Sequence, residues 1–116
     1  MDVGNLGVSG KIDVDALVNI IGIRSLSFMS NSFSGPIPEF HRMGALKGLY
    51  LSGNQFSGEF PSDYFSTMSG LKKVGLSGNN FTGEIPSSLV QLSHLIELHL
   101  ENNKFSDSIL CLNSLV

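Results

Sequence analysis

Three histidines, one cysteine and thirteen glycines are the residues of this 116-residue chain with the widest chemical reach. His41, His94 and His99 show none of the H-x-x-x-H spacing that sets two imidazoles on one helix face, and each is isolated in sequence from a companion ligand. His94 and His99 read as ordinary polar residues of a last loop and strand. A single thiol, Cys111, rules out an intrachain disulfide and a cysteine-based zinc cluster. No histidine is placed to make it a nucleophile. The glycines never lead through a strand, loop and helix into the Lys-Ser/Thr that a phosphate cradle needs. No catalytic residues, metal or cofactor are therefore assigned. Seven Lys and Arg against ten Asp and Glu give a net charge of −3, the wrong sign for general nucleic-acid binding. One triplet, Asn80-Phe81-Thr82, could accept an N-glycan.

Chemistry of another kind, recognition, depends on what positions the side chains. Asn31, Asn54, Asn79 and Asn103 lie 23, 25 and 24 residues apart, and around each runs the same pattern, L-x-x-L-x-L-x-x-N-x-F-S-G-x-I-P. A period of this length with these leucines is the signature of a leucine-rich repeat array. The expected fold is an α/β repeat solenoid, a right-handed superhelix with short parallel strands near residues 25–28, 48–51, 73–76 and 97–100 on its concave face. Irregular or one-turn helical segments should form the convex face. The pairs Leu26/Phe28, Leu49/Leu51, Val74/Leu76 and Leu98/Leu100 alternate with period two, so one face of each strand is buried. The four asparagines should turn inward and bond the backbone of their own and adjacent turns. Phe33, Phe56, Phe81 and Phe105 should stack as an aromatic column. Divided by this register, residues 1–22 form an incomplete repeat, 23–45, 46–70 and 71–94 full ones, 95–110 another incomplete one, and 111–116 a divergent tail.

The same alternation decides which side chains face solvent on the concave side. Those of interest are Ser27 and Met29, Tyr50, Lys73, and then Glu97, His99 and Glu101. Gly48, Gly75 and the serines should leave open floor around Tyr50 and Met29. Just ahead of the strands runs a basic row, Arg24, Lys47 and Lys72, one per rung. Like charges on neighbouring strands repel, so the row invites a functional reading, although long stems covering a sheet edge would also produce it. Asn80 falls between two inward positions and should face outward.

Further residues carry a closer resemblance: Ser9-Gly-Lys-Ile-Asp-Val-Asp15-Ala-Leu, Pro36-Ile-Pro-Glu-Phe40, Ser62-Asp-Tyr-Phe65, Leu71-Lys-Lys-Val74 and Glu97-Leu-His-Leu-Glu-Asn-Asn103. With the Ser-Gly-x-Ile-Pro motif they make the chain resemble the ectodomain of a pollen receptor-like kinase, a family built on the plant-specific repeat. The resemblance implies a non-catalytic recognition module on the extracellular side of the plasma membrane. It implies partners among secreted peptides or other receptor ectodomains, with no membrane insertion by this chain. A secreted inhibitor of the polygalacturonase-inhibiting type shares the repeat and is the alternative; a remnant without binding activity is a third reading.

The chain departs from that family at both ends. Met1 and Val3 fall on strand positions with Leu6 in the asparagine register, and the start carries no basic and apolar leader. Asp107 and Leu110 replace glycine and proline, and no apolar run approaches the roughly 20 residues of a membrane span. The expectation is a shortened product or partial gene model without kinase or span. Ile12, Leu17, Ile20 and Ile21 at one end, with Ile109, Leu110, Leu112 and Leu115 at the other, have no cover in the sequence. They are expected to fray or to drive self-association.

Overall fold

The repeat coils the chain so that equivalent residues of successive turns lie side by side. The structure is a computed structural model that describes residues 9–10, 12–20 and 22–106. Its elements in chain order are β1 (Ser9–Gly10), α1 (Val14–Val18), β2 (Ser25–Ser27), β3 (Ser32–Gly35), a 3-10 turn (Phe40–Arg42), β4 (Gly48–Tyr50), β5 (Gln55–Glu59), β6 (Lys73–Gly75), β7 (Asn80–Gly83), α2 (Ser87–Val90), β8 (Glu97–His99) and β9 (Lys104–Phe105). Strands β2, β4, β6 and β8 form one sheet in that order, parallel throughout, with Leu26, Leu49, Val74 and Leu98 aligned. This is the concave sheet the repeat predicts. The one-turn helices and turns of the convex side also agree with that reading.

A second parallel sheet, in the order β1-β3-β5-β7-β9, was not expected. It occupies the N-x-F-S-G stretch, which reads as turn residues when only the glycine is considered. Period-two burial explains it. Asn54 and Phe56 point inward while Gln55 and Ser57 face water, and the same holds around Asn31 and Asn79. This sheet is staggered where the concave one is not: Ser34 pairs with Gln55, Ser57 with Asn80 and Thr82 with Lys104. Each step shifts the register by two residues, or about 7 Å. Ser9 pairs with Ser32 in the same stagger; Met1, Val3 and Leu6 lie outside the described residues.

The asparagines close the coil. The Asn54 amide donates to the carbonyls of Phe28 (2.8 Å) and Leu51 (3.0 Å), and its Oδ1 accepts from the Phe33 amide at 3.1 Å. Asn79 and Asn103 repeat the arrangement one turn on each, their Oδ1 atoms accepting from Phe56 and Phe81. Beside this ladder runs the aromatic column, with ring centroids 6.3 Å apart between Phe33 and Phe56, 6.1 Å between Phe56 and Phe81, and 6.2 Å between Phe81 and Phe105. Hydroxyls perform a similar service on the convex side. Tyr64 donates to the Pro38 carbonyl and accepts from the Phe40 amide, Thr67 donates to the His41 carbonyl, and Ser88 accepts from the Phe65 amide. Burial raises the Tyr64 hydroxyl far above the usual phenol range, so it stays protonated.

At the first described turn, α1 supplies cover that the sequence reading did not foresee. Asp13 caps it by accepting from the Ala16 amide, and Arg42 ties it to the next turn through Asp15 at 2.6 Å. Val14 and Leu17 are consequently buried in the common core. Ile20 remains 48% exposed. Ile21 and residues 107–116, with their apolar side chains and Cys111, fall outside the described residues.

The residue before each ladder asparagine has positive φ: Ser30 (60°), Gly53 (76°), Gly78 (69°) and Asn102 (61°). A side chain at Gly53 would also meet the Ser30 backbone at 3.3 Å. Gly53→Ala is expected to cost about 1–2 kcal/mol, whereas Ser30→Gly should cost nothing measurable; thermal melts of the two variants provide the check.

Candidate binding surface on the concave face

Parallel, unstaggered pairing turns the outward positions of the concave sheet into straight rows across the strands. Ser25, Gly48, Lys73 and Glu97 form one row, and Ser27, Tyr50, Gly75 and His99 the next. Met29 stands beyond them, 39% exposed. The floor that the small residues were expected to leave open is filled by Tyr50 itself. A Cβ on Gly48 would lie 3.2 Å from its Cε2 and 3.5 Å from its hydroxyl, and one on Gly75 would lie 3.5 Å from its Cδ1. The half-buried ring therefore reaches back over Gly48 and touches the site of Gly75 on the next strand. A side chain at Gly48 would crowd the ring, whereas one at Gly75 would touch it at ordinary contact distance and press instead on the Ser52 hydroxyl at 3.2 Å. Ser77 and Ser52 continue the polar floor through a 3.0 Å hydroxyl bond.

The basic row holds its predicted alignment. The Lys47 amide donates to the Arg24 carbonyl at 2.6 Å and the Lys72 amide to the Lys47 carbonyl at 2.8 Å. The three residues are exposed and lie one strand spacing apart, about 4.8 Å. Neither they nor Lys73 join an ion pair among the described residues. The Lys47 ammonium lies 3.8 Å from where a Cβ on Gly70 would be, so its stem crosses onto the next turn. The row ends on Ile96, whose amide donates to Lys72 and whose side chain is 69% exposed. Sequence reasoning passed over Ile96, although its register with Arg24, Lys47 and Lys72 was countable.

The far rung is acidic and self-paired. His99 Nε2 lies 3.0 Å from Glu97 and its Nδ1 lies 3.8 Å from Glu101. The other histidines are elsewhere. His94 is an exposed loop residue, and His41 packs on Tyr64 at 5.0 Å on the convex side with a buried, unpartnered Nδ1. Among the described residues no group of three His, Cys, Asp or Glu could hold a metal ion. Asn80 opens β7 with its side chain exposed. On the opposite side, Glu59 and Glu84 border an open groove of about 500 Å³ floored by Phe60, Ile85, Pro86 and Val90.

The Leucine Rich Repeat family description matches residues 45–66 and 70–92. Pollen receptor-like kinase 2 of Arabidopsis thaliana is 54% identical over 105 residues, which is 90% of this chain but 16% of that kinase. A solved Pollen Receptor Kinase 3 superposes with a TM-score of 0.83 at 43% identity, over 89% of this chain and 50% of that one. The BIR3–SERK2 complex from Arabidopsis thaliana contains a chain that matches with a TM-score of 0.83 at 29% identity, over 92% of this chain and 57% of that one. These 116 residues thus correspond to a small repeat-bearing part of the relatives, outside any kinase domain. Among the described residues no helix is long and apolar enough to cross a membrane. The relatives are receptor kinases, which does not favour the secreted-inhibitor reading. From repeat register to overall superposition, the chain carries leucine-rich repeats and is similar to the ectodomains of pollen receptor-like kinases.

Proposed function

We propose that this chain is a non-catalytic recognition module of a membrane receptor-like kinase. It lies on the extracellular side of the plasma membrane and binds a secreted peptide or another receptor ectodomain along its concave strands. The observation that carries the reading is the concave face itself. The half-buried ring of Tyr50 packs against Gly48 and Gly75 among serines, with Arg24, Lys47, Lys72 and Lys73, which join no ion pair among the described residues, on the first rungs and the Glu97–His99–Glu101 cluster on the last. Such a sign change along one face favours a single orientation of a dipolar partner. The BIR3–SERK2 complex supports a partner that is itself a receptor.

Affinity for a partner ectodomain or acidic peptide tests it. Tyr50→Ala should weaken binding about tenfold or more, as loss of a central aromatic anchor does. Reversing Lys72 and Lys73 to Glu should mainly slow association and alter its salt dependence, at about 0–1 kcal/mol per charge. Reversing Glu59 and Glu84, on the other surface, should change neither. Weakening by that control alone would remove the concave face from the interaction.

A further inference from the structure

Beyond the receptor reading, though resting on its extracellular placement, we propose that Asn80 is a modification site: it carries an N-linked oligosaccharide that stands over the second sheet and leaves the concave face open. Two independent features select it. In the stretch Asn79-Asn80-Phe81-Thr82 a hydroxyl follows Asn80 by two residues, whereas Asn79 is followed at that distance by Phe81. In the fold, Asn79 is buried and bonded into the ladder, while Asn80, one residue on, is exposed at the start of β7.

Asn19, Asn31, Asn54, Asn79 and Asn103 each donate a side-chain amide to backbone carbonyls. The Asn80 side chain makes no hydrogen bond among the described residues, so its amide is free to be the acceptor nitrogen. Alternation along β7 puts Asn80 and Thr82 on the same outward side, with fully buried Phe81 between them. The repeat supplies a hydroxyl at this place in every turn, as Ser34, Ser57, Thr82 and Ser106, but the residues two before these are Ser32, Gln55, Asn80 and Lys104. Of these turns, only the one holding β7 completes the triplet.

The co-reactant is a polyprenyl-diphosphate oligosaccharide, the donor class of the secretory pathway. The Asn80 amide nitrogen bonds to the anomeric carbon of the first N-acetylglucosamine as the bond from that carbon to the diphosphate oxygen breaks. The lipid diphosphate leaves with the electron pair, and the nitrogen gives up one proton. The folded chain has room for the product. Ser57, the register partner of Asn80, is small and exposed, and Lys104, the partner of Thr82, is exposed as well, so a sugar there displaces no buried side chain. Tyr50, Lys73 and His99 belong to the other sheet, across the ladder asparagines. A bulky, hydrated chain rooted on β7 thus closes the second sheet to protein partners and leaves them the concave face.

Peptide mass mapping of the full chain, secreted from plant cells behind a cleavable leader, tests the proposal. Most molecules should carry a glycan on Asn80, and peptide-N-glycosidase should release it and leave a carboxylate in place of that amide. Asn80→Gln and Thr82→Val should each abolish it, and Thr82→Ser should keep it. Gln55→Asn should add a second glycan, since Ser57 already stands two residues on with the same outward side. An amine-reactive label should reach Lys72 and Lys73 at the same rate before and after release, and Lys104 faster after it. A secreted, folded chain with a bare Asn80 amide would overturn the site. Unchanged labelling of Lys104, or faster labelling of Lys72 or Lys73, would overturn its placement. Because the leader forces entry into the secretory pathway, these results do not bear on the receptor reading, which rests on the Tyr50 affinity measurement.

Discussion

Asn54→Ala is expected to destabilise the array by about 3–5 kcal/mol, read as a lower midpoint in urea. The substitution strips the Phe33 amide of its acceptor and takes one of two asparagine donors from each of the carbonyls of Phe28 and Leu51, which keep Asn31 and Asn79. A buried amide left without its partner costs about 1–3 kcal/mol, and each of the two further hydrogen bonds lost adds about 0.5–1.5 kcal/mol. Asn54→Asp should be no better, because a carboxylate accepts from Phe33 but cannot donate to two carbonyls. Gln55→Ala, on the exposed neighbour, is the comparison and should shift the midpoint by less than about 0.5 kcal/mol. An Asn54→Ala variant as stable as Gln55→Ala would mean that the ladder is ornament.

Phe81→Ala should produce a loss of similar size by a different route, about 3–5 kcal/mol. The ring is fully buried, stacks between Phe56 and Phe105, and meets Phe60 at 4.7 Å. Its removal opens a cavity in a column whose other members are held by strands and cannot close in. Because each turn touches only its neighbours, the damage should be local before it is global. Amide exchange should accelerate first across β7 and β9 while β2 and β4 keep their protection. Uniform acceleration would show that the array unfolds as one unit. Met29→Ala, at a 39% exposed position, serves as the surface comparison and should be nearly neutral.

Much of this molecule is written in its repeat. The spacing of four asparagines placed the concave strands to within a residue, and alternation from those asparagines named the outward side chains. What escaped was physical rather than hidden. Glycine and serine dominate N-x-F-S-G and disguise its strand, although Asn and Phe alternating with polar residues already have a strand's period. Cover from α1 was missed because a five-residue helix has little intrinsic stability; Asp13 and the Arg42–Asp15 pair hold it only once the turns are stacked. Alternation marks Tyr50 as outward, but that its ring bends back over Gly48 of its own strand and touches Gly75 of the next is a choice of side-chain rotamer, which residue spacing does not record. Ile96 could have been found by counting from the basic row.

The ladder bonds also have a direction. Phe33 is satisfied by Asn54, Phe56 by Asn79 and Phe81 by Asn103, so every turn is completed by the asparagine of the turn that follows it. On a ribosome, that asparagine has not been made when the turn itself emerges. Each coil must wait for roughly one more repeat before its last buried amide finds an acceptor, and the folding front trails the growing chain by that interval. Loss of a following repeat leaves the preceding coil unfinished, whereas loss of an earlier one leaves the later amides served. In this array, removing the first turn should therefore cost less than removing the last.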